Sequence, residues 1–225
     1  MKKNYNIAID GPAGAGKSTI AKKVAQALAY IYIDTGAMYR SFGLYALNKE
    51  LSPEDEDALL EACKTVTVKI DYIDGKQQVF LNGENVTELI RTEEVGKMSS
   101  SVAKNSNVRN KMVELQKSMA ASSNVIMDGR DIGTVVLPNA DLKIYLTAGS
   151  KDRAERRYKE LTAKGILCDV DEIEKDIIDR DYQDMNREVS PLKKAEDAIL
   201  IDSSNLTIDE VTNKILELFN KNCLY

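Results

Sequence analysis

The chain has 225 residues, 43% of them hydrophobic and 30% charged, with a net charge of −5 from 31 basic and 36 acidic residues. That length supports a sizeable core and one or two domains. The acidic balance argues against a general nucleic-acid binder, and no apolar run approaches the roughly 20 residues of a membrane span. Histidine is absent, and the three cysteines (Cys63, Cys168 and Cys223) lie far apart. This argues against His-dependent triads and zinc chemistry and fits a reduced, cytoplasmic chain. Met1-Lys2-Lys3-Asn4 leads almost at once into the first apolar run, with no room for a signal peptide.

Ile7-Ala8-Ile9 reads as a short buried parallel strand. Gly11 to Ser18, Gly-Pro-Ala-Gly-Ala-Gly-Lys-Ser, then fits the phosphate-binding pattern G-x-x-x-x-G-K-[ST]. The glycines let successive backbone N–H groups turn toward phosphate oxygens. Lys17 would reach the β- and γ-phosphates, and the Ser18 hydroxyl would hold Mg²⁺. Ile20, Val24 and Leu28 recur at helical spacing after the loop, so a helix N-terminus faces the phosphates. Gly11, Pro12, Ala13, Gly14, Ala15, Gly16, Lys17, Ser18 and Thr19 are therefore the residues expected around the triphosphate.

Ile31-Tyr32-Ile33 is a second β-rich run, followed by a helix from about Ala37 to Asn48. Ser52-Pro53 looks like an N-cap opening a helix over 54–62. Val66 to Ile73 alternates apolar and polar residues, Asp74-Gly75 supplies a turn, Gln78 to Leu81 runs on as a strand, and Asn82-Gly83 is a further hairpin signal. A small antiparallel sheet inserted into a parallel α/β core is the expectation. Val108, Met112, Leu115 and Met119 mark an amphipathic helix whose methionines belong to the core. Val125-Ile126-Met127 and Leu142 to Leu146 are further core strands. Ser150 is placed as the cap of a long charged helix from Lys151. Ala198 to Ile201 reads as the last strand, and Thr207 to Glu210 fits a capping box before a final helix. Strands alternating with helices imply a parallel sheet covered on both faces, with ligands beyond the carboxyl ends of the strands.

Three charged segments stand out beyond the loop: Asp34 to Arg40, Asp128 to Thr134 and Arg180 to Arg187. The first two follow strands, so they belong near the same sheet edge as the loop. Arginines arriving from separate segments suit a second anionic group, because a guanidinium binds phosphate through two parallel hydrogen bonds. Each one alone also reads as a solvated surface charge.

With Ile9-Asp10-Gly11-Pro12, Asp34-Thr35-Gly36-Ala37-Met38-Tyr39-Arg40, Asp128-Gly129-Arg130-Asp131-Ile132-Gly133-Thr134 and Met185-Asn186-Arg187 in hand, the chain resembles the bacterial cytidylate kinases over nearly its whole length. These are nucleoside monophosphate kinases that move the γ-phosphate of ATP to CMP or dCMP in pyrimidine metabolism. The resemblance implies a core (residues 1–36, 106–149 and 188–225), a monophosphate-binding insertion (37–105) holding the small antiparallel sheet, and a helical lid (150–187). It implies that Thr35, Tyr39 and Arg40 line the acceptor site, with Arg40 on the CMP phosphate and Arg130 in the same phosphate cluster. Asp131 and Arg109 would read the cytosine edge with a serine of Ser99 to Ser101, Ser100 aligning best. Arg180, Asp184 and Arg187 would contact sugar and phosphate.

Asp131 as mere partner of an arginine, and the serines as plain polarity, stay open alternatives. Asp128 either orients water on Mg²⁺ or is structural. Arg153, Arg156 and Arg157 share a helical face that would close over the triphosphate, Arg153 and Arg157 being assigned to catalysis with Lys17. The bland alternative is a face neutralised by Asp152, Glu155 and Glu160. The family usually closes its first helix with Gly, whereas Ala29-Tyr30 stands here, so that helix is expected to end differently. A monomer acting on small nucleotides, with neither nucleic acid nor membrane as partner, is expected. Rival readings are another acceptor (an adenylate or uridylate kinase), a nucleotide-dependent switch, and an ATP-binding structural protein.

Overall fold

The computed structural model describes residues 4–73 and 76–224. In chain order the elements are β1 (Asn6–Asp10), α1 (Lys17–Leu28), β2 (Ile31–Asp34), α2 (Thr35–Asn48), α3 (Glu56–Thr65), β3 (Val68–Ile73), β4 (Lys76–Leu81), β5 (Glu84–Asn85), α4 (Glu93–Val102) and α5 (Ser106–Ala120). They continue with β6 (Val125–Gly129), a π-helical turn (Ile132–Val136), β7 (Leu142–Thr147), α6 (Ser150–Ala163), α7 (Val170–Asn186), β8 (Ile199–Asp202) and α8 (Ile208–Phe219). They form a five-stranded sheet in the order β2-β6-β1-β7-β8 and a separate three-stranded sheet in the order β3-β4-β5. The chain divides into two compact units, Met1–Tyr32 with Ser122–Tyr225, and Ile33–Ala121.

In the first unit β1 lies parallel to β6 (Asn6 opposite Val125, Asp10 opposite Gly129) and to β7, and β7 lies parallel to β8. Ile7, Ala8 and Ile9 are fully buried, as a central strand covered on both faces requires. Ile20, Ala21, Val24 and Ala25 of α1 and Val211, Ile215 and Phe219 of α8 fill one face. Tyr5 and Tyr30 set their rings edge-on to Phe219 at 5.7 and 5.8 Å. The parallel register brings the chain ends of β1, β6, β7 and β8 to one edge. From that edge depart the phosphate loop, the Arg130–Asp131 segment, α6 and the Ser203 turn.

The second unit packs α2 against α4 at backbone distance. A Cβ on Gly43 would stand 2.8 Å from the Ser99 nitrogen, so glycine is required there. Met38, Phe42, Leu59, Val79, Ile90, Val102, Val108 and Met112 are among its buried apolar residues. The expected hairpin is present, with Val68 opposite Leu81 and Ile73 opposite Lys76. Asn82 and Gly83 take positive φ (49° and 88°) between β4 and β5, as a tight turn requires. The Asp74-Gly75 turn falls outside the described residues.

Several local expectations are corrected. The third helix is capped by Asp55, which accepts from the Ala58 N–H at 2.9 Å, while Ser52 spends its hydroxyl on Glu54 in the preceding turn. Ser150 is the first residue of α6 rather than its cap, and its hydroxyl donates to Glu174 at 2.7 Å. The buried face of α5 is Val108, Arg109, Met112, Gln116 and Ala120, because the helix is rotated to take Arg109 inside; Leu115 and Met119 are half-buried. The α4 helix, missed in the sequence, buries Val95, Ser99 and Val102 on one face and is started by Thr92, which accepts from the Val95 N–H.

Helix α1 does not end differently for lack of glycine. Ala29 itself takes the left-handed conformation (φ 55°, ψ 40°), and the Tyr30 N–H reaches the Ala25 carbonyl at 2.9 Å. The compact grouping also runs differently from the three-part division of the sequence. Helix α5 packs with α3 and α2, and residues 150–187 group with the parallel sheet.

Candidate active site

The phosphate loop begins where β1 ends. Gly11 has φ 148°, and a Cβ there would meet the Leu146 carbonyl oxygen at 1.9 Å, so no other residue fits. Gly14 and Gly16 also have positive φ, 75° and 88°. Gly16 is the N-cap of α1 and supplies no side chain to it, which leaves the first-turn amides for an anion. The loop's peptide planes are held through three carbonyls. Pro12 accepts from Lys17 Nζ at 2.6 Å, Ala13 from Arg153 at 2.8 Å and Ala15 from the Ser203 hydroxyl at 3.4 Å. Lys17 is buried, and burial, followed by the charge of Arg130, pushes its ammonium down to about 7. An anionic phosphate beside it would oppose both effects. Thr19 lies exposed one step further along α1.

The Ser18 hydroxyl donates to Asp128 Oδ2 at 2.9 Å, and Asp128 Oδ1 accepts from the Tyr32 hydroxyl at 2.6 Å. A hydroxyl and a buried carboxylate at the head of a phosphate loop are hard oxygen donors that fit Mg²⁺, which keeps several of its waters. Among the described residues no group of three or more His, Cys, Asp or Glu side chains is arranged for a metal, so few protein ligands are available.

A second charged cluster belongs to the same unit. Arg130 Nε donates to Asp184 Oδ2 at 2.7 Å, and Arg187 donates to Asp184 Oδ1 at 3.4 Å and to the Ser190 carbonyl at 2.8 Å. Another Arg187 nitrogen stands 4.0 Å from Asp131 Oδ1. Burial works to raise the Asp184 carboxyl, but Arg130, Arg187 and Arg180 outweigh it and hold it below the usual carboxylate range. Asp131 is buried. Arg130 and Arg187 thus meet at the Asp184 carboxylate, Arg180 acts on it through its charge, and Asp131 is reached through Arg187.

The three arginines of α6 part company. Arg153 is buried, with its nitrogens on the Ala13 and Ala148 carbonyls and, at 2.6 Å, on Asp181 of α7. Arg156 donates to the Ser203 carbonyl at 2.6 Å. Arg157 is 48% exposed at its side chain and pairs with Glu160 at 3.0 Å.

In the second unit, Asp34 caps α2 through the Ala37 N–H at 2.9 Å, which sets Thr35 as its first residue. Arg40 donates to the Ile90 carbonyl at 3.3 Å. Arg109 is 1% exposed, and its guanidinium carbon lies 5.5 Å from the centre of the Tyr39 ring. Ser100 turns its hydroxyl back onto the Gly96 carbonyl at 3.1 Å, whereas Ser99 is buried against Gly43.

Sequence reasoning assigned no role to Asp10, Asp181, Ser203 or Tyr32. The one available signal was Asp10, an acid closing an otherwise apolar strand.

The chain matches the family model described as cytidylate kinase over residues 7–221. It is 53% identical over 219 residues to a protein of Caldicellulosiruptor bescii named cytidylate kinase, covering 97% of each chain. It is 50% identical over 221 residues to one so named from Geobacillus sp. (strain WCH70), covering 98% of this chain and 99% of the relative. Among solved structures it is similar in fold to a gluconokinase from Sinorhizobium meliloti 1021, at 11% identity and a TM-score of 0.50, over 98% of this chain and 94% of the other.

Proposed function

The chain belongs to the cytidylate kinase family and is a phosphotransferase of that family, and from that premise we propose that it carries the γ-phosphoryl group of ATP to CMP or dCMP, releasing ADP and CDP or dCDP. The observation that carries this reading is the partly buried cluster of Arg130, Asp184 and Arg187. A triphosphate loop alone serves a switch or a hydrolase as well, but a second arginine-rich anion site serves an acceptor that is itself a phosphate.

Phosphoryl transfer asks for alignment and positive charge rather than covalent chemistry. Gly11 to Thr19 cradle the triphosphate, and Lys17 follows its β- and γ-oxygens. Ser18 and Asp128 would hold Mg²⁺, which would supply positive charge beside the phosphates. In the first unit Arg130, Arg180 and Arg187 hold the acceptor phosphate, and Asp184 accepts from a sugar hydroxyl. Asp131 accepts from the amino group that distinguishes cytosine from uracil. In the second unit Arg40 is assigned to the CMP phosphate, Thr35 and Tyr39 to its surroundings, and Arg109 and Ser100 to the base.

The acceptor oxygen is already anionic, so no general base is needed, in keeping with a chain without histidine. Arg153, anchored on the loop carbonyl of Ala13, ties the 150–187 segment to the phosphate loop. Arg157, on the exposed side, is the residue of α6 assigned to the transferring phosphate. Among the described residues no helix is long and apolar enough to cross a membrane. The reading is of a cytoplasmic monomer working on free nucleotides.

The test is ADP release with Mg²⁺ and ATP across CMP, dCMP, UMP, AMP and GMP, with the product diphosphate identified. CDP and dCDP as the preferred products are expected. ATP hydrolysis without a diphosphate from any acceptor would overturn the reading.

A further inference from the structure

We propose that Asp10 is a positioning residue that sets the Asp131 carboxylate where it can read the acceptor base, an inference that rests on the role given to Asp131 above. Asp10 closes β1, one residue before the phosphate loop. Its Oδ1 accepts from the Ile132 N–H at 2.8 Å and its Oδ2 from the Gly133 N–H at 2.7 Å. These are the first two amides after Asp131. They open the π-helical turn, where no preceding carbonyl of the turn serves them. Asp131 is the residue before that turn and contributes no side-chain cap to it; its backbone (φ −143°, ψ 24°) belongs to neither helix nor strand. The Asp10 clamp therefore fixes the N–H side of the two peptides that follow Asp131, while the carbonyls of Asp131 and Ile132 accept from Val135, Val136 and Leu137 within the turn.

The packing around the clamp is close. A Cβ on Gly133 would stand 3.3 Å from Asp10 Oδ2 and 3.1 Å from Lys143 Cδ. Asp10 is 4% exposed. Burial pushes its carboxyl up to about 6, against the two amides that stabilise the anion. The charge of Asp131 adds to the rise and that of Lys17 opposes it. An apolar residue would end this buried strand without that electrostatic cost. What an acid supplies here is a pair of acceptors aimed at two consecutive amides. Discrimination by a hydrogen bond falls steeply with misalignment, so a shift of this turn reaches the base before it reaches the triphosphate.

The test compares Asp10→Asn, Gly133→Ala and Asp131→Asn with the parent enzyme in steady-state kinetics, with melting temperatures as a check on folding. Asparagine keeps one acceptor but meets the other amide with a donor. Gly133→Ala presses on the same bond without changing a charge, and it keeps the question answerable if Asp10→Asn does not fold. For Asp10→Asn, KM for CMP should rise about tenfold, with the CMP-over-UMP ratio of kcat/KM falling by a similar factor. KM for ATP and kcat at saturating CMP should stay within about threefold. Gly133→Ala should show the same pattern more weakly. A CMP-over-UMP ratio unchanged in both variants, or KM for ATP and CMP rising together, overturns the proposal. If Asp131→Asn loses discrimination while the other two keep it, only the positioning role fails. If Asp131→Asn also keeps it, the reading of Asp131 fails and the inference falls with it.

Discussion

The phosphate loop and the Arg130–Asp184 cluster both belong to the unit built on the parallel sheet, yet they are made in opposite ways. The loop is eight consecutive residues whose backbone is shaped to receive phosphate oxygens. Its glycines are fixed by conformation and by contact, as the 1.9 Å approach at Gly11 shows. The cluster is assembled from side chains of the segment after β6 and the end of α7, more than 50 residues apart in sequence. It holds together by charge, with arginines lowering a buried carboxyl against the cost of burial. A backbone site tolerates almost no substitution at its glycines. A side-chain site fails by degrees as partners are removed, leaving charges uncompensated.

Substitutions separate the two. The largest effect is expected from Lys17→Met. Turnover should fall by roughly 10²–10³-fold, as when one charge-stabilising donor is removed from an active site. The melting temperature should not fall, because burial already pushes the Lys17 ammonium down to about 7. A loss of stability matching the loss of turnover would show that Lys17 is structural.

Next is Asp184→Ala, which leaves Arg130 partly buried without its partner. A stability loss of about 3 kcal/mol in urea titration is expected, together with a higher KM for CMP and a nearly unchanged KM for ATP. An unchanged midpoint would mean that the cluster carries no coupled charge.

The third measurement is of pH. The folded-state carboxyl of Asp10 stands at about 6 against an ordinary 3.8, so the native state binds its proton more tightly than the unfolded one. The favourable contribution is therefore complete below about pH 4 and is lost as pH rises through 6. That change amounts to about 3 kcal/mol at most. The charged groups around it are Asp131, Lys17 and Lys143, with Tyr145 opposite it in β7. Relative to Asp10→Asn, the parent should lose stability between pH 4 and 7. A difference that stays flat would place the carboxyl at its ordinary value.

The smallest effect is expected at Ala29, far from both regions. Ala29→Gly relieves a left-handed alanine (φ 55°) and should add about 1 kcal/mol. That corresponds to roughly 3 °C in melting temperature, with kinetics unchanged. No gain would mean that the unfolded chain's extra freedom cancels the relief.

Much of the architecture was legible because the signals are local. The phosphate pattern, the apolar runs of β1, β6 and β7, the hairpin alternation and the Thr207–Glu210 capping box each express a constraint within a few residues. What misled was also local. Ser52 and Ser150 are good caps by type, but Ser52 donates to Glu54 while Asp55 takes the helix start, and Ser150 donates to Glu174 of the following helix. Helix α4 escaped notice because its buried stripe is short and includes a serine, Val95, Ser99 and Val102, within a run of polar residues.

The sequence by itself determined that a phosphate-loop pattern is present, that a parallel sheet carries the loop, and that the chain resembles one kinase family. Those properties lie in contiguous motifs and in residue periodicity. Only the tertiary structure decided that Arg153 is locked to the Ala13 carbonyl and Asp181 while Arg157 faces outward, and that Asp10 spans 122 positions to clamp the amides after Asp131. Identical residue types three or four positions apart on one helix meet different surroundings. Which charge is buried, and against what, is set by elements that are distant along the chain.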